Sequence, residues 1–139
     1  MPVFEVPIDS AALRGNPLGD PASRVLPVVV PDDHDPSEPI PCVWWLAGYA
    51  GVGRQMLAGD LWQEGLEARL HRLRAEGRIG PMAVALPDAF TRHGGCQYLS
   101  SPAVGDYERY LWEEAPAALA ARMRILRHGV AGKSSGGFG

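Results

Sequence analysis

The sequence predicts an α/β fold, a mostly parallel sheet with helices on its faces. Three observations carry that expectation. Short apolar runs alternate with stretches of helical periodicity from about residue 42 onward. Cys42-Val43-Trp44-Trp45-Leu46-Ala47 is continuously apolar, as a strand covered on both faces must be. The later strands run into loops that begin at Gly48, Pro87 and Gly132, at the carboxyl ends where such sheets carry their functional groups.

In chain order, Val3 to Ile8 alternates loosely and predicts a first strand, and residues 9–23 are dense in turn formers and read as irregular surface. Arg24 to Val30 is a second strand, in which Pro27 lacks an N–H and so points to an edge position or a bulge. The acidic, proline-rich residues 31–41 read as a solvated loop. After the Cys42–Ala47 strand and its Gly48–Gly53 loop, a helix is expected from about Asp60 to Glu76. Asp60 would cap it, Trp62, Leu66, Leu70 and Leu73 would form its apolar stripe, and Gly77 would sit just past its end. Met82 to Leu86 is a short strand and residues 88–105 a long loop. A second helix starts near Asp106 or Tyr107, with Tyr107, Leu111, Ala115 and Leu119 on one stripe and a kink at Pro116. Arg127 to Ala131 predicts the last strand, and a further helix would begin near Ser135.

Composition narrows the function classes. A chain of 139 residues suits one domain with a real core. The net charge of -3, without a Lys/Arg run, gives no footprint for nucleic acid. There is no signal-peptide pattern and no run long enough to span a membrane, so a cytoplasmic location is the default expectation. A homo-oligomer is compatible with the sequence. Cys42 and Cys96 lack C-x-x-C spacing and read as free thiols, with a disulfide as the alternative. Metal-ligand spacing is absent, and neither a metal nor a cofactor is expected.

The chemistry-bearing stretch is Gly132-Lys133-Ser134-Ser135-Gly136-Gly137, which fits G-x-S-x-G. A serine on a sharp strand-to-helix turn has a strained backbone and an exposed hydroxyl, and glycines two residues to either side relieve the crowding such a turn creates. A flexible Gly/Ser tail is the plain alternative. A phosphate-binding loop is the sharper rival, but its leading glycine position holds Arg127. The Gly48–Gly53 loop does not fit a dinucleotide fingerprint. It can instead complement Ser134. Acyl transfer passes through an oxyanion that needs two preorganised N–H donors, one from the residue after the nucleophile, Ser135, and one from an earlier post-strand loop, where Tyr49 is the natural candidate. All four histidines, His34, His71, His93 and His128, precede Ser134. Of these, His93, with Asp88 near it in sequence, lies in a loop that could approach the site.

Taken jointly and in order, several segments carry a resemblance. They are Leu13-Arg14-Gly15-Asn16-Pro17-Leu18-Gly19-Asp20-Pro21, Leu46-Ala47-Gly48-Tyr49-Ala50-Gly51 and Leu86-Pro87-Asp88, followed by Gln97-Tyr98-Leu99-Ser100-Ser101, Tyr107-Glu108-Arg109-Tyr110-Leu111 and Ala131 to Gly139. From about residue 10 the chain resembles the esterase D-like group of the α/β-hydrolase superfamily, which includes S-formylglutathione hydrolases, feruloyl esterases and mycolyltransferases. The resemblance implies an α/β-hydrolase fold, a small-molecule ester or thioester substrate, Ser134 as nucleophile, and Tyr49 and Ser135 as oxyanion donors. Gly132 and Gly136 would be the glycines of the turn, and Gln97, Tyr98 and Lys133 candidate pocket-lining residues. The chain departs from the group at Ala47, where histidine is usual, and at Lys133, where histidine or glutamine is usual. Lys133 sets a cation beside the site that would favour anionic substrates or reach solvent.

In that superfamily an Asp or Glu and then a His follow the serine. Both are expected beyond Gly139, which makes residues 1–139 the expected N-terminal portion of a single catalytic domain, ending just after the nucleophile turn. Acyl transfer to an acceptor other than water, and a non-catalytic domain that keeps the fold, are the alternatives at this point.

Overall fold

A computed structural model describes residues 2–139. Strands β1 (Val3–Asp9), β2 (Ser23–Val29), β3 (Ile40–Leu46), β4 (Ala83–Ala85) and β7 (Ile125–Gly132) form a five-stranded sheet in the order β1-β2-β4-β3-β7. A small hairpin, β5 (Phe90–Thr91) and β6 (Gly94–Gly95), stands apart. The expectation of a mostly parallel sheet needs correction. β3 runs parallel to β4 and β7, but β1–β2 and β2–β4 are antiparallel, so the sheet is mixed.

Pro27 does not mark an edge, because β2 lies between β1 and β4. Its carbonyl accepts the Leu86 N–H at 2.9 Å. The N–H and C=O of one residue in an antiparallel strand point the same way, so the missing donor of Pro27 also faces Leu86, just past the last residue of β4. The cost is one donor at the very end of the β2–β4 pairing, opposite Leu86.

Both faces of the sheet carry packed side chains except along β7, most of whose residues are exposed. On one face Val6, Ile8, Leu26, Val28, Ile40, Cys42, Trp44 and Leu46 pack with Tyr107, Tyr110, Leu111 and Leu119. On the other, Val29, Val84 and Leu86 pack with Leu70 of α1 (Leu66–Ala75) and with Trp45 and Met56. β3 buries Ile40, Cys42, Trp44 and Leu46 on one face and half-buries Pro41, Val43 and Trp45 on the other, so its unbroken apolar run meets full cover on one side only. Cys42 and Cys96 are both free and buried, and burial pushes the Cys42 thiol up to about 12.

Helix α1 is shorter than expected. The Asp60 carboxylate accepts the N–H groups of Trp62 and Gln63, but the Asp60 N–H returns to the Gln63 carbonyl, closing a single turn. The helix restarts at Gly65, and Trp62 is 88% exposed rather than part of its stripe. At the other end Gly77 adopts φ +68, with Gly77 and Arg78 N–H groups bonded to the Arg74 and Leu73 carbonyls, the left-handed stop expected there. A 3-10 turn, Gly53–Leu57, links β3 toward α1.

The second helical stretch runs through α2 (Tyr107–Arg109), a π-helical turn (Tyr110–Glu114) and α3 (Ala115–Ala120). The Ala115 N–H bonds the Tyr110 carbonyl, and this widened turn immediately precedes Pro116, whose ring an ordinary α-turn would drive into the preceding carbonyl. The predicted stripe of Tyr107, Leu111, Ala115 and Leu119 is fully buried.

Two long-range anchors hold the loops. Residues 9–23 are not simple surface: Ser10 and Leu13 are fully buried. There the Glu114 carboxylate accepts the Ser10 hydroxyl and, at 2.9 Å, the Ala12 N–H. Arg24 is also buried. Its guanidinium donates to the carbonyls of Pro21 (2.9 Å) and Phe90 (2.9 Å) and to the Tyr107 hydroxyl (3.0 Å), and pairs with Asp88 at 3.3 Å. A planar fork of donors on one residue can satisfy four such groups at once.

Glu114→Ala is expected to lower stability by about 2–3 kcal/mol, because it orphans a buried hydroxyl and a backbone N–H. Urea denaturation of the intact protein should show a lower midpoint with an unchanged slope.

Candidate active site

Ser134 sits between β7 and α4 (Ser135–Phe138) with φ 56° and ψ −117°. This left-handed φ is costly for a residue with a side chain, and the surrounding backbone leaves no alternative. A Cβ on Gly132 would lie 2.1 Å from the Gly136 carbonyl oxygen, and one on Gly136 would lie 2.0 Å from the Leu46 carbonyl oxygen. Three segments, the ends of β3 and β7 and the start of α4, therefore cross at van der Waals limits. The Lys133 N–H donates to Leu46 at 3.3 Å and the Gly136 N–H to Lys133 at 3.0 Å. Ser134 is exposed and Ser135 buried.

The loop after β3 touches this turn. A Cβ on Gly48 would stand 3.7 Å from Ser134 Cβ and 3.6 Å from the Lys133 carbonyl oxygen. The next residue, Tyr49, is braced by the β5–β6 hairpin. Its hydroxyl donates to the His93 carbonyl, its own carbonyl accepts the Gly95 N–H at 2.8 Å, and its ring lies where any Cβ on Gly94 would be. The N–H groups of Tyr49 and Ser135 meet no acceptor among the described residues.

Gln97 and Tyr98 both have φ +60°. The Ser135 hydroxyl donates to Gln97 Oε1 at 2.7 Å, and the Tyr98 hydroxyl donates to the Ala47 carbonyl at 2.8 Å. Burial pushes the Tyr98 hydroxyl up to about 12, so it stays a protonated donor at neutral pH. Neither residue lines the adjoining cleft of about 620 Å³, whose walls include Trp45, Ala47, Gly48, Val52, Gln63 and Lys133. Lys133 makes no ion pair among the described residues.

No histidine side chain hydrogen-bonds Ser134 among the described residues. His128 Nδ1 accepts the Trp44 indole N–H at 2.9 Å. His93 contributes its carbonyl to Tyr49, while Asp88 is held by Arg24 and by the Phe90 N–H at 3.0 Å. No hydrogen bond or ion pair joins His93 to Asp88 among the described residues. Within those residues no group of three His, Cys, Asp or Glu side chains gathers as a metal site would require, and no helix is long and apolar enough to cross a membrane.

Solved structures of similar architecture are esterases. A ferulic acid esterase superposes with a TM-score of 0.72 at 19% identity, over 99% of this chain and 52% of its own. A ferulic acid esterase from the anaerobic fungus Anaeromyces mucronatus gives 0.67 at 18% identity, over 97% and 50%. The ferric enterobactin esterase of Salmonella typhimurium gives 0.61 at 17% identity, over 99% and 31%. The chain shares the fold of these esterases, a mixed sheet with helices on it. At these identities the likeness establishes the fold alone, and the chain spans about half the length of the ferulic acid esterases it matches. No protein-family model and no curated protein matches the chain.

Sequence patterning does not reveal the brace on Tyr49 or the contact of Gln97 with Ser135. The Gly94-Gly95 pair is a usable signal for the first, since adjacent glycines mark a close backbone approach. Gly136→Ala is expected to abolish the folded state or lower Tm steeply, because its Cβ meets immovable backbone. Gly137→Ala, whose Cβ would lie 3.4 Å from the nearest atom, should fold with Tm changed by only a few degrees. Thermal unfolding of the two variants side by side checks this.

Proposed function

We propose that this chain carries the nucleophile and the oxyanion-binding loops of a serine carboxylesterase acting on a small-molecule ester or thioester. The observation that carries the reading is Ser134, exposed at φ 56° on a strand-to-helix turn that touches the Gly48-Tyr49 loop. That geometry supports reading the turn as a nucleophile elbow. The reaction class, carboxylic-ester cleavage, is taken from the esterases of similar fold.

In this mechanism Ser134 Oγ adds to the substrate carbonyl carbon, and the carbonyl electron pair moves onto oxygen. The Tyr49 and Ser135 N–H groups, which meet no acceptor among the described residues, receive that developing charge. The C–O or C–S bond then breaks, the alcohol or thiol leaves with a proton, and water releases the acyl group from Ser134. A serine hydroxyl needs a general base. In this reading a histidine and its orienting Asp or Glu come from sequence beyond Gly139. No cofactor takes part.

The intact protein should react with a fluorophosphonate probe at Ser134, and Ser134→Ala should abolish the labelling. Equal labelling of both proteins would sink the assignment. Lys133, at the rim of the cleft and without an ion pair among the described residues, favours esters that carry a carboxylate. Lys133→Gln should lower kcat/KM for a hemisuccinate aryl ester by about threefold, the scale of a solvent-exposed charge pair. It should leave the neutral acetate ester unchanged, and steady-state kinetics on the two esters tests this.

A further inference from the structure

We propose that Gln97 and Tyr98 are positioning residues that set both oxyanion donors from one dipeptide. The inference rests on the reading of Ser134 as nucleophile and of Tyr49 and Ser135 as donors. Those donors belong to segments remote in sequence, one following β3 and the other opening α4. A pair of N–H groups stabilises an oxyanion only if their separation is held before the reaction begins.

The dipeptide reaches both. Gln97 Oε1 accepts the Ser135 hydroxyl at 2.7 Å, and the Tyr98 hydroxyl donates to the Ala47 carbonyl at 2.8 Å, two residues before Tyr49. A third contact closes the arrangement. The last turn of α4 lies so near that a Cβ on Gly139 would be 2.6 Å from both the Gln97 carbonyl oxygen and Tyr98 Cβ.

The backbone of the dipeptide points the same way. Two consecutive residues with side chains at φ +60° are each held in a sparsely populated, strained conformation. Strain of that kind persists only where the surroundings over-determine it. Here the two adjacent side chains reach two different donor segments. The neighbouring hairpin adds a second hold on Tyr49 through Gly95 and the His93 carbonyl. The donor loop is thus fixed from both sides of Tyr49.

The test uses the intact protein with Gln97→Met, which keeps chain length and removes the acceptor, and Tyr98→Phe, which keeps the buried ring. Each should lower kcat for an aryl ester by about tenfold with KM within twofold, less than the 10²–10³ typical of deleting a donor outright. Each should weaken binding of a boronic-acid transition-state analogue by a similar factor. Gln97→Met combined with Ser135→Ala should be no slower than either single variant, because both remove the same contact. Leu99→Ala, an exposed neighbour outside these contacts, serves as the control. If kcat and analogue affinity stay at the wild-type level, or if the Gln97 and Ser135 effects simply multiply, the proposal is overturned. Should one variant fail to fold, the other, with its fold checked by circular dichroism, decides between the same two outcomes. Failure of the unaltered protein to label at Ser134 would remove the reading beneath the inference and the inference with it.

Discussion

The close crossing of three backbone segments behind Ser134 is the constraint on which the rest depends. Leu46, Gly132 and Gly136 meet at distances that exclude any Cβ, and hydrogen bonds from Lys133 and Gly136 lock the crossing. A strained serine conformation costs free energy that must be offset elsewhere. Here the offset is the β3–β7 ladder, which runs from Ile40–Ile125 to Leu46–Gly132, together with the buried cluster around Trp44 and Leu46 beneath it. The sheet brings β3 and β7 side by side, and the serine's exposure follows from where the two strands end.

The rest of the site depends on how the long loop between β4 and α2 is held. Arg24 ties Asp88 and Phe90 at the loop's start to Tyr107 just after its end. A buried guanidinium is tolerated because each neighbour accepts a hydrogen bond, and its central carbon lies 5.8 Å from the Tyr107 ring centre. Between those anchors the loop presents Gly94, Gly95, Gln97 and Tyr98 to the two segments flanking Ser134. A cation on β2 thereby organises residues that touch Tyr49 and Ser135.

Much of this was legible in the sequence wherever the local pattern and the tertiary requirement coincide. The apolar run before Gly48 is a strand buried on one face and half-buried on the other, the stripe from Tyr107 to Leu119 is core, and Gly132 and Gly136 stand where a Cβ would meet backbone. The pattern failed where long-range contacts decide. Residues 9–23 look like surface loop because nothing local announces that Glu114 will hold Ser10 and Ala12. The helix expected from Asp60 begins only at Leu66, because the Asp60 carboxylate caps a closed turn as readily as a helix. Pro27 implies an edge only if a central strand cannot spare its N–H, and here the missing donor falls at the very end of the short β2–β4 pairing. Gln97 reads as a pocket residue because a side-chain bond between distant segments leaves no periodic trace.

The crossing at Leu46 also bears on the order in which the molecule acquires its parts. The contacts that hold Ser134 at positive φ come from β3, far away in the chain, so short-range folding alone cannot supply them. Closing such a long loop is among the slower and more entropically demanding steps for a chain of this kind. Until β3 and β7 are paired, the serine has no reason to leave ordinary extended or helical backbone. A chain whose sheet has not closed therefore holds an ordinary serine at position 134, and the strained geometry is a report that the sheet has closed.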